Sequence, residues 1–202
     1  MAKLQVAVFA SGNGSNFQAL VDAEREGRLG AEIRLLVCNR PEAPVVKRAE
    51  AAGIPAFVFR PKDYPSREAY EKEILAELNR LNIGLIVLAG FLRILTPVIT
   101  DAYAGRIINI HPALLPAFPG LNVIREALEY GVKVTGVTVH FADANLDAGP
   151  IIAQEAVKIE EDDTEETLAE RIHQAEHWLL PEVVRKIAEG RVRVEGRRVY
   201  VS

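Results

Sequence analysis

Apolar residues fall along this chain in two alternating rhythms. Short continuous runs alternate with stretches in which apolar positions recur every three to four residues. Leu4 to Ala10 reads as a strand and Phe17 to Gly27 as a helix. Glu32 to Cys38 is a second strand, Ala43 to Gly53 a helix, and Pro55 to Phe59 a third strand. Tyr70, Ile74, Leu75, Leu78 and Leu81 form a helical stripe, followed by a buried strand over Ile83 to Ala89. Arg106 to His111 is another strand and Asn122 to Tyr130 a helix. Continuous apolar strands, rather than clean alternations, are what a parallel sheet covered on both faces requires. Repeated strand–helix units therefore predict an α/β, doubly wound, mostly parallel sheet.

The last third of the chain breaks the rhythm. Lys133 to Phe141 and Pro150 to Ile159 are strands with only a loop between them, which predicts an antiparallel addition. Asp163, with Glu166 three residues on, predicts a capped helix start. That helix is expected to break or kink near Leu180, because Pro181 has no N–H for the ladder. Arg191 to Val201 reads as a hairpin around Glu195 and Gly196. No repeat, low-complexity tract or linker divides the chain, so residues 1–202 are expected to form one domain.

Composition narrows the class. The chain has 202 residues and is 49% hydrophobic, which excludes intrinsic disorder. Its net charge is −4, a poor basis for general nucleic-acid binding. No apolar run reaches the ~18–20 residues of a membrane span. Leu4 to Ala10 is too short, and too close to a glycine-rich loop, for a signal peptide. A single cysteine, Cys38, allows no intrachain disulfide and fits a reducing cytoplasm.

Four constellations could carry chemistry. Ser11-Gly12-Asn13-Gly14-Ser15-Asn16 joins the first strand to the first helix. Glycines let a ligand approach the backbone, and a helix N-terminus favours phosphate. Phe17 stands where a dinucleotide fingerprint needs its third glycine. Cys38-Asn39-Arg40 ends the second strand without the acid that fingerprint requires, so a small phosphate ester is favoured over a dinucleotide. Asn109-Ile110-His111-Pro112 places an amide and an imidazole on one side of a strand end. Asp143 to Gly149 imitates the start of a calcium loop, but Ala148 and Gln154 stand where glycine and glutamate are needed. An acid on that loop could approach a histidine. His173-Gln-Ala-Glu-His177 matches a zinc-peptidase pattern that lacks a further ligand, so no metal is expected.

Taken together, these segments resemble the phosphoribosylglycinamide formyltransferases, the folate-dependent glycinamide ribonucleotide transformylases of purine synthesis. The resemblance runs from Leu4 to about Pro181. It rests on SGNGSN at Ser11 to Asn16, AGFLRIL at Ala89 to Leu95 and NIHPALLPAFPG at Asn109 to Gly120. VTGVTVHFADANLDAGPIIAQ at Val134 to Gln154 and EHWLLP at Glu176 to Pro181 complete it. Methionyl-tRNA formyltransferase is similar through the middle but has a further C-terminal domain. The related deformylase has an extra N-terminal one.

The resemblance implies a Rossmann-like formyltransferase fold and a catalytic trio of Asn109, His111 and Asp147. It implies a substrate-phosphate loop at Gly14, Ser15 and Asn16, and a ribonucleotide contact at Glu176. Formyl-folate contacts fall on Arg67, on Leu92, Arg93, Ile94 and Leu95, and on Asn109. The implied co-substrate is 10-formyltetrahydrofolate, the implied acceptor is glycinamide ribonucleotide, and no metal, nucleic acid or membrane is called for. Ala113, Leu92 and Asn122 stand where the family commonly has serine, a larger side chain and histidine. The expected chemistry is attack of the glycinamide amine on the formyl carbon. Asn109 and protonated His111 would stabilise the oxyanion, and Asp147 would favour the imidazolium. A nucleotide-cofactor oxidoreductase and a non-enzymatic phosphate-binding module remain the alternatives.

Overall fold

A computed structural model describes residues 2–202; the first residue of the expected domain lies outside it. Seven strands form one sheet in the order β3-β2-β1-β4-β5-β6-β7. Five run parallel: β1 (Leu4–Phe9), β2 (Ala31–Cys38), β3 (Ala56–Val58), β4 (Leu85–Leu88) and β5 (Ile107–His111). β6 (Val134–Phe141) and β7 (Ile151–Lys158) add to β5 antiparallel, as their direct connection predicts. The doubly wound, mostly parallel expectation therefore holds. The third strand is shorter than its apolar run and keeps only Ala56–Val58.

Period-two alternation sends side chains from one strand into two separate cores. Val6 and Val8 pack with Phe17 and Leu20 of α1 (Ser15–Arg25), Val45 and Ala49 of α2 (Pro44–Ala52), and the long C-terminal helix α6 (Glu165–Ala188). Ala7 and Phe9 face Tyr70, Ile74 and Leu78 of α3 (Arg67–Arg80) and Ile99 of the short α4 (Pro97–Thr100). α5 (Val123–Tyr130) follows β5. Leu168, Ile172, Leu179 and Val183 repeat at helical spacing along α6 and are all buried. Each such side chain contributes about 1.5–3 kcal/mol of burial free energy.

Two local readings are corrected. Thr164, not Asp163, caps α6: its hydroxyl accepts from Thr167 N–H, and the Thr167 hydroxyl accepts from Thr164 N–H. The Asp163 carboxylate is engaged elsewhere, by the Arg171 guanidinium and by Glu160 N–H. Arg171 holds that carboxyl well below the usual range. Pro181 does not end the helix, which continues to Ala188. Pro181 is itself buried beside Leu180, and tertiary packing outweighs the lost hydrogen bond. The expected terminal hairpin is present as β8 (Val192–Glu195) and β9 (Arg198–Val201). Among the described residues no helix is long and apolar enough to cross a membrane.

Candidate active site

A cavity of about 760 Å³ opens where the loops after β1, β4 and β5 meet the β6–β7 loop and α6. Gly14, Ser15 and Asn16 line it, as do Leu92, Arg93, Ile94 and Leu95. Asn109, His111, Asp147 and Glu176 also reach it. Arg67 does not. It stands outside the lining and donates to the Ile94 carbonyl at 3.5 Å, so it bears on the 92–95 segment from behind.

Backbone geometry explains the loop after β1. Gly14 is the N-cap of α1, in the left-handed region at φ 78°, where a Cβ would lie 2.4 Å from Val45 Cγ2. The first N–H groups of a helix have no intrahelical partner, and here no side chain caps them. Ser11 is buried and ties three segments together. Its hydroxyl donates to Asn39 Oδ1 at 2.5 Å and accepts from Leu92 N–H at 2.9 Å. The Asn16 amide donates to Glu176 Oε2 at 3.2 Å, while Asn16 Oδ1 is buried without a partner. Glu176 is 5% exposed, and burial pushes its carboxyl up to about 7, against a smaller opposing effect of the Asn16 amide.

The segment after β4 is anchored by a buried acid that the sequence pattern does not single out. Glu71 of α3 accepts from Thr96 N–H at 2.9 and 3.1 Å and from the Thr96 hydroxyl at 2.5 Å. Thr96 in turn caps α4. The three contacts fix the far end of the 92–95 segment.

Asn109 and His111 both reach the cavity from the end of β5, as strand alternation requires. His111 Nε2–H donates to the Phe118 carbonyl at 2.7 Å, which leaves Nδ1 toward Asp147, 3.7 Å from its Oδ1. Asp147 arrives from the β6–β7 loop with φ 50°, and its Oδ2 accepts from Gly120 N–H at 2.8 Å. Asn122, at the histidine position of the wider pattern, takes a left-handed φ of 59° that asparagine tolerates.

His140 is the residue that sequence reading missed as a partner of the trio. Antiparallel register sets it opposite Asn109. Its Nδ1–H donates to the Phe141 carbonyl at 2.8 Å, so Nε2 is free to accept from the Asn109 amide at 3.1 Å. Asp147 Oδ1 stands 3.9 Å from the same Nε2. Burial holds the His140 imidazole below its ordinary range, outweighing the raising effects of the Phe141 carbonyl and Asp147. The arrangement offers one amide donor, one imidazole and one carboxylate around a common space. On the helix side, His173 and His177 stack on one another, while Glu176 turns to Asn16. The zinc-like pattern is thereby divided between different neighbours.

Comparison with known proteins finds relatives along nearly the whole chain. The Formyl transferase family profile matches residues 4–184. The phosphoribosylglycinamide formyltransferase of Bacillus subtilis is 50% identical over 181 residues, covering 90% of this chain and 93% of that one. The trifunctional purine biosynthetic protein adenosine-3 of Homo sapiens is 43% identical over 192 residues, which are 95% of this chain and 19% of that protein. The crystal structure of glycinamide ribonucleotide transformylase 1 from Symbiobacterium toebii superposes with a TM-score of 0.96 at 45% identity, over 98% of this chain and 94% of that one. With a fold and a sequence that match theirs over nearly its whole length, the chain belongs to the formyl transferase family, among the phosphoribosylglycinamide formyltransferases.

Proposed function

We propose that this enzyme transfers the formyl group of 10-formyltetrahydrofolate to the amine of glycinamide ribonucleotide, giving formylglycinamide ribonucleotide and tetrahydrofolate in de novo purine synthesis. The observation that carries the reading is the convergence of Asn109, His111 and Asp147 on a cavity that ends in an uncapped helix N-terminus. The phosphate lies on Gly14, Ser15 and Asn16, where N–H groups and the helix dipole meet it. Glu176 takes the sugar side of the ribonucleotide. The folate occupies the space along Leu92 to Leu95, with Arg67 steadying that segment and Arg93 supplying positive charge. One domain, residues 1–202, carries both subsites. Its N-terminal part holds the phosphate, and its C-terminal part holds the folate and the chemistry. The substrates are small molecules, no metal takes part, and the reducing cytosol suits the buried thiol of Cys38.

The amine nitrogen attacks the formyl carbon, and an N–C bond forms as the carbonyl electrons move onto oxygen. The Asn109 amide and the His111 imidazolium, through Nδ1–H, stabilise that oxygen. The attacking nitrogen gives up a proton, the bond to the folate nitrogen breaks, and that nitrogen takes a proton. Nδ1 is the exchanging position on His111, because Nε2–H is committed to the Phe118 carbonyl. Asp147 balances the imidazolium charge.

The test follows tetrahydrofolate release from 10-formyltetrahydrofolate with and without glycinamide ribonucleotide. Release that depends on the ribonucleotide, with the formylated product formed in equal amount, is expected. Release at the same rate without it would make the protein a hydrolase and overturn the transfer reading.

A further inference from the structure

A loop that binds an anion has to show its N–H groups and turn its carbonyl oxygens away. The N–H side of the Gly12 to Asn16 loop is provided by the uncapped start of α1. The carbonyl side is managed by a different element, α2. Val45 N–H donates to the Gly12 carbonyl at 3.2 Å. Arg48 Nε donates to the Asn13 carbonyl at 2.8 Å, and Arg48 Nη2 donates to Asn13 Oδ1 at 2.7 Å. Nη1 reaches Gln18 Oε1 of α1 at 3.5 Å. The Val45 side chain fills the space beneath Gly14 that a Cβ would need. Val45 and Arg48 are three apart, so they lie on one face of α2.

We propose that Arg48 is the positioning residue of the phosphate loop. Its planar fork grips both oxygens of Asn13 and keeps them off the anion, which leaves the donors of Gly14 to Asn16 aimed at the phosphate. A lysine carries the same charge but cannot hold two oxygens in one fixed geometry. The inference rests on reading this loop as the ribonucleotide phosphate site.

The experiment uses the full chain with Arg48→Met, Arg48→Lys, Asn13→Ala and the Arg48→Met/Asn13→Ala pair. Ribose 5-phosphate is the calorimetric probe, and steady-state kinetics follow both substrates. Arg48→Met should weaken ribose 5-phosphate and raise KM for glycinamide ribonucleotide about tenfold, the scale of one lost charge-assisted hydrogen bond. kcat and the KM for 10-formyltetrahydrofolate should stay within about twofold, a split that general misfolding does not produce. Arg48→Lys should keep most of the defect. The double variant should be no worse than the poorer single one, because both changes break the same grip. Wild-type affinity for ribose 5-phosphate in Arg48→Met, or in Arg48→Lys, would overturn the proposal. Failure of the wild-type protein to bind ribose 5-phosphate would overturn it together with the phosphate-site reading. Normal binding without formyl transfer would overturn only the assigned activity.

Discussion

To stabilise an oxyanion, Asn109 has to present an N–H and not its carbonyl oxygen, and His140 decides which. With Nδ1–H committed to Phe141, the Nε2 of neutral His140 can only accept, and the amide must donate to it. A second proton on His140 would reverse that choice, and burial opposes it. Asn109→Ala and His111→Ala should each lower kcat by about 10²–10³, with less than additive losses in the pair. His140→Ala should cost about tenfold to a hundredfold in kcat, with little change in either KM. Steady-state kinetics on the three variants check the ranking; a His140→Ala enzyme with wild-type kcat would remove His140 from the account. Glu176 gives a second prediction, in stability. Its folded carboxyl titrates at about 7, above the ordinary 4.5, so folding takes up a proton between those values. Stability from this group is therefore lost as pH rises across that window. Glu176→Gln should remove that slope, leaving the variant more stable than wild type at pH 8 by up to about 3 kcal/mol. Urea unfolding at pH 5 and pH 8 measures it. Residues with a special chemical type or backbone, such as Gly14, Asn109 and His111, were legible in the sequence. His140 and Arg48 were not, because their roles depend on strand register and helix placement that a local pattern does not contain.

At the scale of elements, the β6–β7 loop is pinned from several sides. Gly149 presses on the Phe141 carbonyl so closely that a Cβ would overlap it. Asp147 is held by Gly120 N–H on one side, and the Arg197 guanidinium, from the hairpin turn, donates to the next carbonyl at 3.0 Å. Gly149→Ala should push the loop off its seat and lower kcat at least tenfold, while ribose 5-phosphate binding at Gly14 to Asn16 stays near wild type. Kinetics and calorimetry on that variant separate the two effects. Equal loss of both would mean that the loop and the phosphate site are not independent. Strands and helices were largely readable from the sequence because their rhythm is local. The cap of α6 was misread because Asp163 and Thr164 are both capping types, and Arg171, eight residues on, together with Glu160 N–H draws the aspartate away. Of the break or kink expected near Leu180, the break is absent because burial of that turn outweighs the missing bond.

At the scale of the whole molecule, the mixed sheet brings the ends of β1, β4 and β5 to one cavity and lays α6 across it. A ligand spanning that cavity binds only the folded state. Glycinamide ribonucleotide at about a hundred times its dissociation constant should therefore stabilise the fold by about 2.7 kcal/mol. Thermal unfolding with and without it gives the measurement, and an unchanged midpoint would mean that the cavity does not hold it.

The hydrogen bond from Asn16 to Glu176 joins residues 160 positions apart. Contacts of such separation form late, since the chain between them must first be made and ordered. During synthesis the glycine loop is made well before the helix that meets it, and Glu176 reaches it only after the chain between them has been made and α6 has docked. A chain cut short before α6 therefore lacks one wall of the cavity, and the cavity closes only when that helix is in place.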